Sequence, residues 1–273
     1  MSPLTNLKCQ DDNDNIYNTT KCSCFSFMTS AGKRSRDLGI PFDGCTGASN
    51  SIIDVTGVCV GNVTYMDEEA GVFTGVTAIL PHGQDLCSCF AAASSFNGNG
   101  EMTGLAWIDE SGLLETPVLL TNTHSVGLVR DSVIKWMTET QRENSSANDW
   151  GLPVVLETYD GSMNSSLHHV QQEDVFRALN EATKLPPLPM GSVGGGTGNI
   201  AYDFKAGCGT SSRVTPQGYT VGVWCQVNMF VVNPIYKAIN FLIVAYGKNS
   251  QCEEFLLESL SKRTQCETKE LVL

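Results

Sequence analysis

Three groups of residues in this chain have types and spacings that could do chemistry. Residues 191–198, GSVGGGTG, carry five glycines in eight positions. Backbone without Cβ atoms can approach a ligand or another strand closely, and its N–H groups could line an anion nest. Neither GxxxxGK[ST] nor a GxGxxG opening a helix is present, because the segment after Gly198 reads as strand. Close strand packing is therefore expected in preference to a nucleotide loop. The second group is cysteine. Cys22/Cys24 and Cys87/Cys89 are CxC pairs, but no CxxC accompanies them and no histidine lies near Cys22 or Cys24. Zinc normally needs a fuller set of ligands, so no metal is expected. With 11 cysteines, at least one thiol must be unpaired within the monomer. The third group is histidine: His124 sits in TNTHSVG and reads as a structural residue, while His82, His168 and His169 read as loop residues. No GxSxG is present to support a conventional Ser-His-Asp arrangement.

The framework for these residues is mixed. Residues 1–35 are Asn/Asp-rich and then Cys/Ser-rich, and they read as an irregular extension. Short β-branched runs at 52–60 and 75–80, bounded by Gly, Asn and Pro, predict core strands. After the turn-rich TNTHSVG, Val126, Val129, Val133 and Met137 recur at helical spacing and predict a helix packed on a sheet. Residues 154–156 predict a strand running into ETYDG, and 170–182 a second amphipathic helix ending before Pro186 and Pro187. In that pattern Glu157 and Tyr159 read as one polar strand face, and Asn228 as a strand-end turn residue. Residues 229–246 are apolar but interrupted by Asn233, Pro234, Lys237 and Asn240. A buried strand pair is expected there, since a lysine at the centre of a membrane helix costs about 2.5–3.5 kcal/mol. From Gln251 onward, Phe255, Leu256, Leu257 and Leu260 predict an amphipathic helix.

Composition narrows the function classes. The chain has 273 residues, 41% of them hydrophobic, enough for a sizeable core. Lys and Arg number 17 against 29 Asp and Glu, a net charge of −12, which argues against a nucleic-acid partner. Only 17% of residues are charged and 26 are glycine, which suits turns and buried strands better than a helical bundle. The first residues show no apolar signal-peptide core, so cytoplasmic location is expected and no membrane association. The sequons at Asn18, Asn62, Asn144 and Asn164 are read as surface asparagines.

Seven segments, in order, carry a resemblance: RSRDLGIPFDGCTGASNSIIDVTGVCVG, TGVTAILPHG, FNGNGEMTGLAWIDESG, TNTHSVG, LPVVLETYDG, GSVGGGTGNIAYDFKAGCGTSSR and YTVGVWCQVN. Together the region from Arg36 to Asn228 resembles the family of L-aminopeptidase/D-amidase-esterases and β-peptidyl aminopeptidases. The resemblance implies an α/β fold, the αββα sandwich shared with ornithine acetyltransferases. It implies a precursor that cuts itself, leaving a serine at a new N-terminus as nucleophile. A free α-amino group with a pKa of about 8 is suited to assist its own hydroxyl in acyl transfer. The substrate implied is a peptide, amide or ester with a free N-terminus, and homo-oligomers are implied. By the same resemblance Glu157 meets the substrate ammonium, Tyr159 hydrogen-bonds near the reaction centre, and Asn228 is the oxyanion-hole amide. No metal or organic cofactor is implied.

The resemblance weakens beyond Asn228. Residues 36–230 read as the family core and 231–273 as a divergent, shortened segment whose closing strand region has no counterpart, which would leave sheet edges unpaired. Aligned on the strand FLIVAY, Phe241 takes the nucleophile position, and phenylalanine cannot attack a carbonyl. Aligned on the junction, Asn249-Ser250 is the scissile bond and Ser250 the nucleophile, but QCEE comes after it and does not make a buried strand. Two expectations stand side by side: an autoprocessing serine aminopeptidase using Ser250, and a catalytically inactive homologue retaining the fold core and a ligand pocket.

Overall fold

The computed structural model describes residues 34–95, 98–144, 150–165, 168–229, 241–248 and 270–272. In chain order the strands and helices are β1 (Cys59–Asp67), β2 (Val72–Leu80), β3 (Cys89–Ala92), α1 (Leu105–Ser111), β4 (Leu113–Leu114), β5 (Val118–Asn122), α2 (Val126–Asn144) and β6 (Val154–Thr158). They continue with α3 (Gln172–Asn180), β7 (Ile200–Ala201), β8 (Phe204–Lys205), β9 (Cys208–Val214), β10 (Tyr219–Gln226), β11 (Phe241–Lys248) and β12 (Glu270–Val272). One sheet has the order β1-β2-β5-β6 and the other β4-β3-β12-β11-β10-β9, with β7 and β8 forming a separate hairpin.

The hydrophobic pattern decides the layering. On one face of the four-stranded sheet, Val63, Val76, Ala78, Leu119 and Val155 pack against Val126, Val129, Val133, Trp136 and Met137 of α2 and Val175, Ala178 and Leu179 of α3. On its other face Ile79, Leu120 and Leu156 meet Trp224 and Cys208 of the second sheet. The described residues thus supply one helical layer and both sheets of the expected αββα sandwich. β2 is buried along its whole length because it is paired on both edges and covered on both faces. β5 and β6 run parallel, joined by α2 as the crossover, so their C-terminal ends lie side by side. α3 starts where Asp174 accepts from the backbone N–H of Gln171, a capping interaction that its sequence spacing permits.

Two expectations are corrected here. Residues 52–54 form a 3-10 turn, not the start of a strand. Asp54 accepts from the backbone N–H groups of Ser49 and Ser51, and Ile52 donates its N–H to Thr210 Oγ1 at 2.8 Å, so the β-branched run packs on β10 instead of joining a ladder. Gly222 leaves the room for that approach, since a Cβ there would lie 2.9 Å from Ile52 Cα. Asn164 is buried and not a surface residue, and its amide is turned onto Asp160.

Inside the second sheet β11 is paired on both sides, with β10 over eight residues and with β12 at 244–246. No helix among the described residues is long and apolar enough to cross a membrane. All of the expected 1–35 extension but Arg34 and Ser35, the helix expected from 251, and Ser250 lie outside the described residues. Cys87 is disulfide-bonded, which removes one sulfur of the 87/89 pair as a thiolate ligand.

Candidate active site

The parallel ends of β5 and β6 and the end of β10 converge, and the sequence-predicted residues gather at this convergence. Glu157 lies on β6 opposite Thr121 of β5 and is only 8% exposed. One carboxylate oxygen accepts from the Thr123 hydroxyl and the other from the Glu101 backbone N–H at 3.2 Å. Both oxygens are thereby oriented, and a carboxylate retains lone pairs for a further donor. Among the described residues no Lys or Arg forms an ion pair with it. Thr123 is placed by the turn at the end of β5. Asn122 accepts from the N–H groups of His124 and Ser125, each at 3.1 Å, and donates to Thr74 at 2.8 Å.

Tyr159 lies just past the end of β6, is 40% exposed, and its ring folds over Gly161, where an added Cβ would lie 2.3 Å from the hydroxyl. Its backbone carbonyl accepts from the side-chain amide of Asn228. Asn228 is buried, and the backbone on either side of it is held: Val227 donates to the Gly207 carbonyl at 3.0 Å and Met229 to the Ile200 carbonyl at 2.9 Å. The expected strand face shared by Glu157 and Tyr159 is refined: β6 ends at Thr158, so Tyr159 lies past it and is exposed where Glu157 is buried. Of the four predicted site residues, Asn228 meets the Tyr159 carbonyl and Glu157 lies two residues before Tyr159 on β6, while Ser250 is outside the described residues.

Several polar residues that sequence reasoning did not single out complete the centre. Gln226 donates to Thr158 at 2.7 Å, and Thr158 donates to Asn199 Oδ1 at 3.1 Å, a buried chain joining the two sheets. Asp160 is buried beside Asn164 and Thr74, and burial pushes its carboxyl up to about 6, with those hydrogen bonds and the charge of His124 pulling the other way. Lys205 donates to the carbonyls of Thr197, Asn199 and Ala206, and burial lowers its ammonium to about 8. Cys208, next to it, is pushed up to about 12 by burial and is no nucleophile. Thr158, Asp160, Asn199, Lys205, Cys208 and Gln226 all lie in the ETYDG, GSVGGGTGNIAYDFKAGCG and YTVGVWCQVN segments, which singles them out by position but not by role.

The glycine run serves packing, as expected. Gly194, Gly195 and Gly196 are buried, and their N–H groups go to Thr64, Thr77 and Val193 inside the protein, not to an anion nest. Gly195 has room for no side chain, since a Cβ would lie 2.6 Å from the Leu120 carbonyl.

A family model described as Peptidase family S58 matches residues 50–251, a span that contains every site residue above. The chain belongs to peptidase family S58. Two relatives named beta-peptidyl aminopeptidase BapA, from Sphingosinicella microcystinivorans and Sphingosinicella xenopeptidilytica, are 44% identical over 209 and 210 residues respectively, each alignment covering 72% of this chain and 52% of the relative. The chain therefore spans about half the length of the curated relatives it matches. Among solved structures, a Burkholderia sp. beta-aminopeptidase aligns with TM-score 0.66 and 45% identity over 73% of this chain and 58% of that one. An L-aminopeptidase D-Ala-esterase/amidase from Ochrobactrum anthropi, described as a variant of the Ntn hydrolase fold, aligns with TM-score 0.67 and 42% identity, covering 72% and 58%.

Proposed function

We propose that this S58 chain is an N-terminal-nucleophile serine aminopeptidase that releases N-terminal residues from peptides, amides or esters. The observation that carries the reading is the Asn228 side-chain amide held on the Tyr159 carbonyl, two residues along the chain from the buried carboxylate of Glu157. Glu157 meets the substrate's ammonium with lone pairs that Thr123 and Glu101 leave open, and burial strengthens that attraction. The second N–H of the Asn228 amide is available to the tetrahedral oxyanion, where one such donor contributes about 2.7–4 kcal/mol. Tyr159 borders the bound residue. Ser250, freed by a cut after Asn249, supplies the hydroxyl, and its own α-amino group takes the proton. The names of the matched relatives support this reading and give the inactive alternative no support.

The register of β11 sets a condition on Ser250. Phe241 pairs with Gln226 at the site end of β10, whereas Lys248 pairs with Tyr219 at the other end. At a rise of about 3.3 Å per residue those ends are roughly 23 Å apart. Lys248, two residues before Ser250, thus ends β11 away from Asn228, and the fragment that begins at Ser250 must move to the site once the cut frees it. Intact mass spectrometry of the full chain, with Ser250→Ala beside it, tests the reading first. Fragments of 249 and 24 residues, absent in the variant, are expected. A single uncut mass together with no hydrolysis of an aminoacyl p-nitroanilide overturns the reading and leaves Phe241 at the nucleophile position. In an active chain, Glu157→Gln raises KM for that substrate by at least about tenfold, as loss of a buried charge partner demands.

A further inference from the structure

The hairpin of β7 and β8 is built against local preference. Its two central residues, Tyr202 and Asp203, both adopt positive φ, 53° and 62°, the turn geometry that glycine and asparagine favour and tyrosine does not. It is only two residues long on each side, and a hairpin of that size does not hold itself together in water. Tyr202, Asp203 and Phe204 at its tip are exposed, so packing of the tip does not hold it either. What closes the hairpin is at its base, where Ala206 donates its N–H to the Asn199 carbonyl at 2.9 Å and the Lys205 ammonium reaches the Thr197 carbonyl and those of Asn199 and Ala206, each of the latter at 3.2 Å. Three N–H donors meet three carbonyls, and Lys205 forms no ion pair among the described residues. The hairpin and the two residues after it carry the backbone bonds that flank Asn228: Ile200, at the start of β7, accepts from Met229, and Gly207, where the β9–β10 ladder continues past the Cys208–Gln226 pair, accepts from Val227.

We propose that Lys205 is a positioning residue for Asn228: its ammonium ties the base of the β7–β8 hairpin to the Ala206–Gly207 segment that follows it, and together these hold the backbone on both sides of Asn228 and so set where the Asn228 amide points. The functional consequence rests on the reading of Asn228 as oxyanion donor. The titratable groups facing the ammonium are Asp160 and Cys208, and burial outweighs both in lowering Lys205 to about 8. A neutral amine has two N–H donors for three carbonyls, so one of the three bonds is lost when the proton leaves.

Amide hydrogen exchange on the full chain, read residue by residue, tests this. In Lys205→Met the protection of the Val227 and Met229 amides falls at least about tenfold relative to the β1–β2 ladder, which serves as the fold control. Unchanged protection at these two amides in a folded variant overturns the proposal. Wild-type protein gives a second arm that needs no substitution. Between about pH 7 and pH 10, protection corrected for intrinsic rate falls at the same two amides with a midpoint near Lys205's own, and a flat profile overturns the proposal. Kinetics separates this inference from the function it builds on. With an aminoacyl p-nitroanilide, Lys205→Met lowers kcat and leaves KM unchanged, as Asn228→Ala does. If Asn228→Ala leaves kcat intact while exchange still tracks Lys205, the oxyanion reading falls and the positioning role stands; if exchange is insensitive while Asn228→Ala lowers kcat, the reverse holds.

Discussion

The two faces of the four-stranded sheet are held by different physics. Toward the helices, Leu119, Val129, Val133 and Leu179 make an apolar layer in which each side chain contributes by area and no single contact is indispensable. Toward the second sheet, and most of all where β6 and β10 end, Thr77, Thr158, Asn199 and Gln226 are buried and hydrogen-bonded, with glycine backbone pressed between them. An apolar layer tolerates change of shape; a polar seam does not, because a buried donor or acceptor without its partner keeps its full desolvation cost. Polar groups can be held in place in such a seam only by the neighbours that hydrogen-bond them.

The sharpest test of this contrast is Gly75→Ala in β2. Its Cβ would lie 2.2 Å from the Val63 carbonyl and 2.5 Å from that of Gly194, so backbone must move. A loss above about 4 kcal/mol, or failure to fold, is expected in chemical denaturation. On the helix side Leu119→Ala leaves a cavity and costs about 2–5 kcal/mol, with the midpoint shifting at unchanged denaturant slope. If the glycine variant proves the milder of the two, the contrast is wrong.

Asp160 gives a pH-resolved test within the seam. Its folded carboxyl lies at about 6 against an ordinary 3.8, so between those values the native chain holds a proton the unfolded chain has released. The stability this contributes is fully present below about 3.8 and is lost as pH rises through about 6. Asp160→Asn flattens the pH dependence in that window and raises stability near neutrality by up to about 3 kcal/mol, at about 1.4 kcal/mol per pKa unit. Thermal melts from pH 4 to pH 8 measure it, and an unchanged slope refutes the assignment. The smallest effect is expected from Thr158→Val, about 1–3 kcal/mol, for stranding Gln226 and Asn199. A neutral outcome would mean water takes over the hydroxyl's place.

Much of the framework is legible along the chain, and the reason is local. Val126, Val129, Val133 and Met137 announce α2 by their period, and 170–182 announces α3, because amphipathic spacing reports one buried face whatever lies behind it. The same logic misreads 52–54, where a β-branched run satisfies its backbone through Asp54 and Thr210 instead of a ladder. Glu157, Tyr159 and Asn228 are legible through family motifs, not through periodicity, since each reads by itself as an ordinary strand or turn residue. Asp160 and Lys205 stand in the same motifs, yet their roles depend on burial and on partners that no spacing reveals.

By itself, then, the sequence determined the secondary structure of the helix-packed layer, the family, and the candidate residues that the family motifs carry. Only the tertiary structure decided how the seam is satisfied. Thr158 and Gln226 are 68 residues apart in the chain and Tyr159 and Asn228 are 69 apart, so their pairing exists only once two sheets close on each other. The physical reason is that hydrophobic burial is proportional to area and shows up as a repeating pattern, whereas the worth of a buried polar group is set by one specific partner at one specific distance.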